Sequence, residues 1–158
     1  MGIGDFFKNI FGKKSCALCG KECGMMHRSK IKNKEFLCSD CGNLCSKYIR
    51  LSELTLDEIK EHIEYMKRQN RLYEEVYAKE GKKSTYPSTL KEMGIEFCDD
   101  LGMFRIVYRS DASRGKLKEL FRYDQVASYE EYIEETTATE QGKAPEFKQC
   151  GLKIKLLG

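Results

Sequence analysis

Cys16-Ala17-Leu18-Cys19-Gly20 and Cys38-Ser39-Asp40-Cys41-Gly42 repeat one Cys-x-x-Cys-Gly frame, with eighteen residues between Cys19 and Cys38. A Cys-x-x-Cys turn aims two thiolates at one ion, and a following glycine lets the backbone take positive φ and fold around the sulfurs. Two such turns at this separation predict a tetrahedral metal site with Cys16, Cys19, Cys38 and Cys41 as ligands and one structural zinc per chain. Four protein ligands leave no position for water or substrate. The expected role of the ion is therefore to hold the fold and not to do chemistry.

Disulfides are the competing use of these cysteines, and they need an oxidising compartment. Residues 1–14 lack the long apolar core and small-residue cleavage site of an export signal, so the expected setting is the reducing cytoplasm. Cys23 and Cys45 each fall four residues after the second cysteine of their frame. That symmetry allows a six-thiolate, two-metal cluster, but the simpler reading is two small buried side chains beside a one-metal site. His27, between the frames, reads as a surface residue or a neighbour of the ligands.

Working outward, charge is divided unevenly. Residues 1–50 hold ten Lys or Arg against four acids, a net +6, and the rest of the chain carries −3. The cysteine module is thus the basic half. Arg28, Lys30, Lys32 and Lys34 are the candidate contacts for a nucleic acid, although no aromatic residues alternate with the lysines and a solvated basic face explains the same pattern. Ahead of the module, Ile3, Phe6, Phe7, Ile10 and Phe11 have the spacing of a short amphipathic helix. This leader is expected either to pack on the protein or to touch a membrane surface weakly. No apolar run approaches the roughly 20 residues that cross a bilayer.

Between the frames, Glu35-Phe36-Leu37 reads as strand, and Leu44, Cys45, Tyr48 and Ile49 have helical spacing after the second frame. Knuckle, hairpin and helix together predict a small treble-clef or zinc-ribbon unit over residues 15–50, too small to fold without its metal. A long amphipathic helix follows over residues 54–81. Thr55 and Glu58 form a capping box, Leu54 and Ile59 staple the entry, and Gly81 stops the helix. Its stripe is Ile59, Ile63, Met66, Asn70, Tyr73 and Tyr77, and His62 at the edge reads as a structural histidine. Lys82 to Ser88 reads as a linker.

Beyond the linker the period changes to two. Ile95 to Cys98, a turn at Asp99 to Gly102, and Met103 to Tyr108 predict a hairpin. Turn 110–115, strands Leu117 to Tyr123 and Val126 to Glu135, loop 136–145 and strand Gln149 to Leu156 complete an antiparallel β domain over residues 90–158. It is expected to form one small sheet or partial barrel with the long helix as a lid. Cys98 and Cys150 read as reduced, buried thiols. The fold class is α+β.

The motifs CALCG (residues 16–20), FLCSDC (36–41), LTLDEIKEHIEYMKRQN (54–70), GMFRI (102–106) and LFRYDQVASYE (120–130) resemble a bacterial family common in Firmicutes. There, an N-terminal four-cysteine zinc ribbon precedes a helix and a pleckstrin-homology-like β domain. The resemblance implies zinc at Cys16, Cys19, Cys38 and Cys41 and supplies no activity. A full domain of that type would continue past Gly158, so the β domain is expected either to be minimal or to leave an open sheet edge that a partner or a second copy covers.

No nucleophile–base order and no phosphate-binding glycine loop is present, so the expected function is a non-enzymatic interaction or scaffold protein with a protein partner. Nucleic-acid binding by the basic half is the alternative. A thiol or metal redox switch, in which Cys23 and Cys45 exchange with the ligands, is the second.

Overall fold

The computed structural model describes Ile3 and residues 12–87, 93–108, 116–136 and 146–157. The leader residues Phe6, Phe7, Ile10 and Phe11, the turn at 110–115, the loop at 137–145 and the side chain of Cys150 lie outside the described residues. The fold is α+β, with one long helix and several small antiparallel sheets.

The N-terminal part is built from very short elements. Strands β1 (Lys14–Ser15) and β2 (Glu22–Cys23) pair around the first frame. Strands β3 (Arg28–Lys30) and β4 (Phe36–Cys38) pair around a tight turn and lead into helix α1 (Ser39–Gly42). The helical spacing of Leu44 to Ile49 does not become helix. Instead, the amides of Leu44 and Cys45 bond back three residues to Cys41 and Gly42. Ser46 then turns the chain, with its hydroxyl accepting from the Tyr48 amide and its own amide donating to His62. A serine that bonds to nearby main chain competes with helix continuation, which holds α1 to one turn.

Helix α2 (Leu56–Leu72) starts as its sequence dictates. The Glu58 amide donates to Thr55 Oγ1 at 3.3 Å, and the Thr55 amide donates to Glu58 Oε2 at 2.7 Å. Its last turn widens into a π turn over Tyr73–Tyr77, closed by the Ala78 amide on the Tyr73 carbonyl at 2.8 Å. Gly81 then takes φ +73, with Cys98 Sγ 2.6 Å from where a Cβ would stand. Only glycine fits both the left-handed backbone and that approach.

The expected linker contains a strand, β5 (Ser84–Pro87), which pairs with β6 (Met93–Cys98). Ser84, Thr85 and Tyr86 suit an extended edge, Tyr86 meets Phe97 edge-on at 5.8 Å, and Pro87 sits at the strand's end, where no ladder donor is missed. The predicted hairpin is present as β6 and β7 (Met103–Tyr108), in register from Met93 opposite Tyr108 to Cys98 opposite Met103. Its turn closes through Gly102 at φ +62.

Strand β8 is shorter than the predicted 117–123, holding only Phe121–Arg122. The residues before it bond elsewhere: the Lys118 amide donates to Asn70 Oδ1 on α2, and Glu119 accepts from Ser46. The sheet order is β5-β6-β7-β8. Strands β9 (Val126–Thr136) and β10 (Glu146–Leu156) form a separate two-stranded ribbon instead of joining that sheet. In the ribbon, Tyr132 lies across from Gly151 and its ring fills the space a Cβ would take.

Among the described residues two apolar clusters form, and α2 takes part in both. Ile31, Leu37, Ile59 and Ile63 pack with Cys16, Cys23, Cys38, Cys41 and Cys45, flanked by Leu44, Ile49, Leu51, Leu54 and Leu56. Farther along, Leu72 and Tyr73 flank a second cluster of Tyr77, Cys98 and Leu120. The Tyr77 hydroxyl donates to the Glu96 carbonyl at 3.2 Å, so the end of the helix covers the sheet as expected of a lid.

Candidate metal centre

The thiol sulfurs of Cys16, Cys19, Cys38 and Cys41 all lie within 4.8 Å of one another. Cys19 Sγ and Cys38 Sγ are 3.7 Å apart. A disulfide would bring them to about 2.0 Å, whereas thiolates ~2.3 Å from a shared central zinc would be ~3.8 Å apart at the corners of a tetrahedron. None of the described cysteines is in a disulfide. The separation fits a four-thiolate metal site.

Local structure places each pair. In the first frame the Gly20 amide bonds to the Cys16 carbonyl and the Cys16 amide to the Lys21 carbonyl, both at 2.8 Å, and Gly20 takes φ +76 as its position requires. The second frame differs from the expected repeat. Gly42 lies in α1 without a positive φ, and a Cβ there would meet Leu51 Cδ1 at 3.7 Å, an ordinary contact. Here Cys38 ends β4 and Cys41 projects from the single turn of α1. The two loops are joined by the Ala17 amide on the Phe36 carbonyl at 2.8 Å and, at the surface, by Lys21 Nζ on Asp40 Oδ2 at 2.9 Å.

Within the cluster, burial and hydrogen bonds move two of the thiols in opposite directions. Burial pushes the Cys16 thiol up, but the amides of Cys19, Cys38 and Leu18 directed at it more than reverse this and bring it to about 6. Cys41 is held far above its usual value, first by burial and then by the three thiols around it. Four thiolates this close cannot all lose their protons unless a cation sits among them. Cys23 and Cys45 stand outside the group. Cys23 donates to the Lys14 carbonyl at 3.1 Å, Cys45 is buried, and burial raises both thiols, so both keep their protons. His27 is exposed in the 3-10 turn Met25–His27 and is likewise not in the group.

The basic residues of the module divide in two. Lys30, Lys32 and Lys34 are exposed. Arg28 is turned inward, donating to the Gly12 carbonyl at 2.6 Å and lying 4.8 Å from the Phe36 ring centroid. Of the leader face only Ile3 is described, and it is exposed.

One polar junction escaped the sequence reading. Ser46, almost fully buried, donates its amide to His62 Nε2 at 3.0 Å and its hydroxyl to Glu119 Oε2 at 2.5 Å. His62 accepts from the amide and not from the hydroxyl, so Ser46 and His62 do not form a serine–histidine pair; the hydroxyl's partner is the Glu119 carboxylate. The junction ties the cysteine module to α2 and to the segment before β8. Pattern alone marks no such tie, because Ser46 and Glu119 are 73 positions apart.

Residues 14–62 match the model of a domain of unknown function (DUF4428). No curated protein and no solved structure matches the chain. The matched span begins with β1 and ends within α2, so it takes in all four clustered cysteines and Ile59, whose side chain packs among them.

Proposed function

We propose that the chain is a zinc-stabilised, non-enzymatic interaction protein of the cytoplasm, whose N-terminal unit is a treble-clef-like scaffold built around one zinc. The observation that carries this reading is the grouping of four thiol sulfurs within 4.8 Å, three of the cysteines being buried. Such a set closes the coordination sphere with protein ligands and leaves no place for a substrate. A protein partner is supported by exposed apolar side chains, Met25 and Met26 beside the cysteine module and Tyr129 and Leu152 on the β9–β10 ribbon. The kinship of residues 90–158 with pleckstrin-homology-like domains is part of the same proposal and rests on the antiparallel strand pattern.

Native mass spectrometry with elemental analysis of the purified chain tests the reading. One zinc per chain is expected. Iron or two metals per chain would put redox or cluster chemistry in its place.

Nucleic-acid binding is the second reading, favoured by the exposure of Lys30, Lys32 and Lys34 on one short stretch of the module. It requires affinity that falls steeply with salt, because lysines on phosphates release counterions. An absence of binding to RNA and DNA at low salt ends it.

A further inference from the structure

Of the four clustered thiols Cys19 is exposed, while Cys16, Cys38 and Cys41 are buried. The other described thiols, Cys23, Cys45 and Cys98, are buried as well. Oxidation of a thiol follows its access to solvent, so a diffusing oxidant meets the cluster at Cys19 first. The two cysteine loops are tied on both sides of that sulfur and in matching register. Two positions before Cys19 and Cys38, the Ala17 amide bonds to the Phe36 carbonyl at 2.8 Å. Two positions after them, Lys21 Nζ meets Asp40 Oδ2 at 2.9 Å. Between these ties Cys19 Sγ and Cys38 Sγ stand 3.7 Å apart, and a move of under ~2 Å closes them to disulfide length.

We infer that Cys19 is an oxidation site for hydroperoxides and that its product is a disulfide with Cys38, formed at the expense of metal binding. This rests on the four-thiolate zinc reading above. The Cys19 thiolate attacks one peroxide oxygen, the O–O bond breaks, and water leaves with the sulfur oxidised to a sulfenic acid. The Cys38 thiolate then attacks that sulfur and expels its oxygen as a second water. Solvent supplies the two protons, and two electrons pass from the pair of sulfurs to the peroxide. Cys16 is the poorer partner, because the amides of Cys19, Cys38 and Leu18 are directed at its sulfur and it would have to leave them to attack. Cys23 is turned away, donating to the Lys14 carbonyl at 3.1 Å, and neither it nor Cys45 belongs to the cluster. A disulfide sulfur carries no charge for a cation, so Cys16 and Cys41 are left as two ligands of a site built for four.

The test uses the full chain loaded with zinc, its metal content measured first. It is treated with equimolar hydrogen peroxide, free thiols are alkylated, and tandem mass spectrometry locates the disulfide while a chromogenic chelator reads released metal. The expected product links Cys19 to Cys38, with zinc set free in step with the bond and taken back after reduction by dithiothreitol. A Cys23→Ala/Cys45→Ala double variant is expected to oxidise at the parent's rate, because neither thiol takes part. A bond from Cys19 to any thiol other than Cys38, zinc release without that bond, or thiols that survive the peroxide would overturn the inference and leave the metal centre standing. So would a double variant that keeps its zinc and resists oxidation. A chain that takes up no zinc before the oxidant is added would overturn the metal reading and this inference together.

Discussion

Cys16 and Cys41 sit in one cluster yet are pushed in opposite directions, Cys16 down to about 6 and Cys41 far up. A cation at the centre removes that conflict by favouring the thiolate at every corner. Cys41→Ser is therefore expected to abolish stoichiometric metal binding, while Cys45→Ala keeps one metal per chain and loses only packing, roughly 1 kcal/mol for a thiol-sized cavity. Elemental analysis of both variants checks the contrast, and metal loss from Cys45→Ala would place that thiol in the site. His62 carries a different pH signature. Burial holds its pKa below the usual 6.5, so the unfolded chain binds the proton more readily than the fold does. Its contribution to stability is intact above about pH 6.5 and is lost as pH falls through the folded value. Burial moves Glu119 upward, so its contribution runs oppositely, present below its usual 4.5 and lost as pH rises through its folded value. His62→Gln can still accept from the Ser46 amide but does not titrate. Melting of parent and variant from about pH 7 to about pH 5 should therefore show their difference in melting temperature changing in favour of the variant as pH falls. A difference constant over that range would remove His62 from the pH response.

Among the described elements, the β3–β4 hairpin is the one in which non-glycine residues take positive φ. Asn33 and Lys34 at its turn have φ of 61° and 63°, and the Glu35 amide reaches back to the Lys32 carbonyl at 3.5 Å. Two successive left-handed residues match the twist of a tight hairpin, and asparagine followed by glycine is the favoured pair for it. Lysine at the second place costs about 1 kcal/mol relative to glycine. Lys34→Gly is accordingly expected to stabilise the N-terminal unit by about that amount, seen as a higher melting temperature with unchanged metal content. Destabilisation would mean that the Lys34 side chain supports the turn. At this scale the sequence was legible where signals are local. The Thr55–Glu58 capping box, the buried stripe of Ile59, Ile63 and Met66, the Gly81 stop and the β6–β7 hairpin all follow from residues within a few positions of one another. It failed where a distant partner decides. Helical spacing after Cys41 was overridden by Ser46 bonding to His62, and strand pattern at 117–120 by Asn70 and Glu119 contacts.

For the whole molecule the decisive fact is that α2 belongs to two cores. Ile59 and Ile63 near its start pack among the cysteines, while Leu72, Tyr73 and Tyr77 at its end pack with Cys98 and Leu120. The grouping of Cys16, Cys19, Cys38 and Cys41 could be read from their spacing, but not this division, because one unbroken stripe looks the same whether it faces one core or two. A small module whose buried residues are largely its cysteines has little apolar area of its own, so a metal held by the four clustered thiols would supply much of its folding energy. The second cluster contains none of the ligands. Removing the metal with a chelator should therefore not melt the molecule uniformly. Hydrogen exchange is expected to rise sharply across residues 14–54 and through the first turns of α2, while the amides of β6 and β7 stay protected. The boundary should fall within the helix, between Ile63 and Leu72, because a helix released at one end frays up to the point where its side chains are next held. Exchange that rises equally in β6 and β7 would mean that the Ser46–His62–Glu119 junction couples the two cores into one cooperative unit.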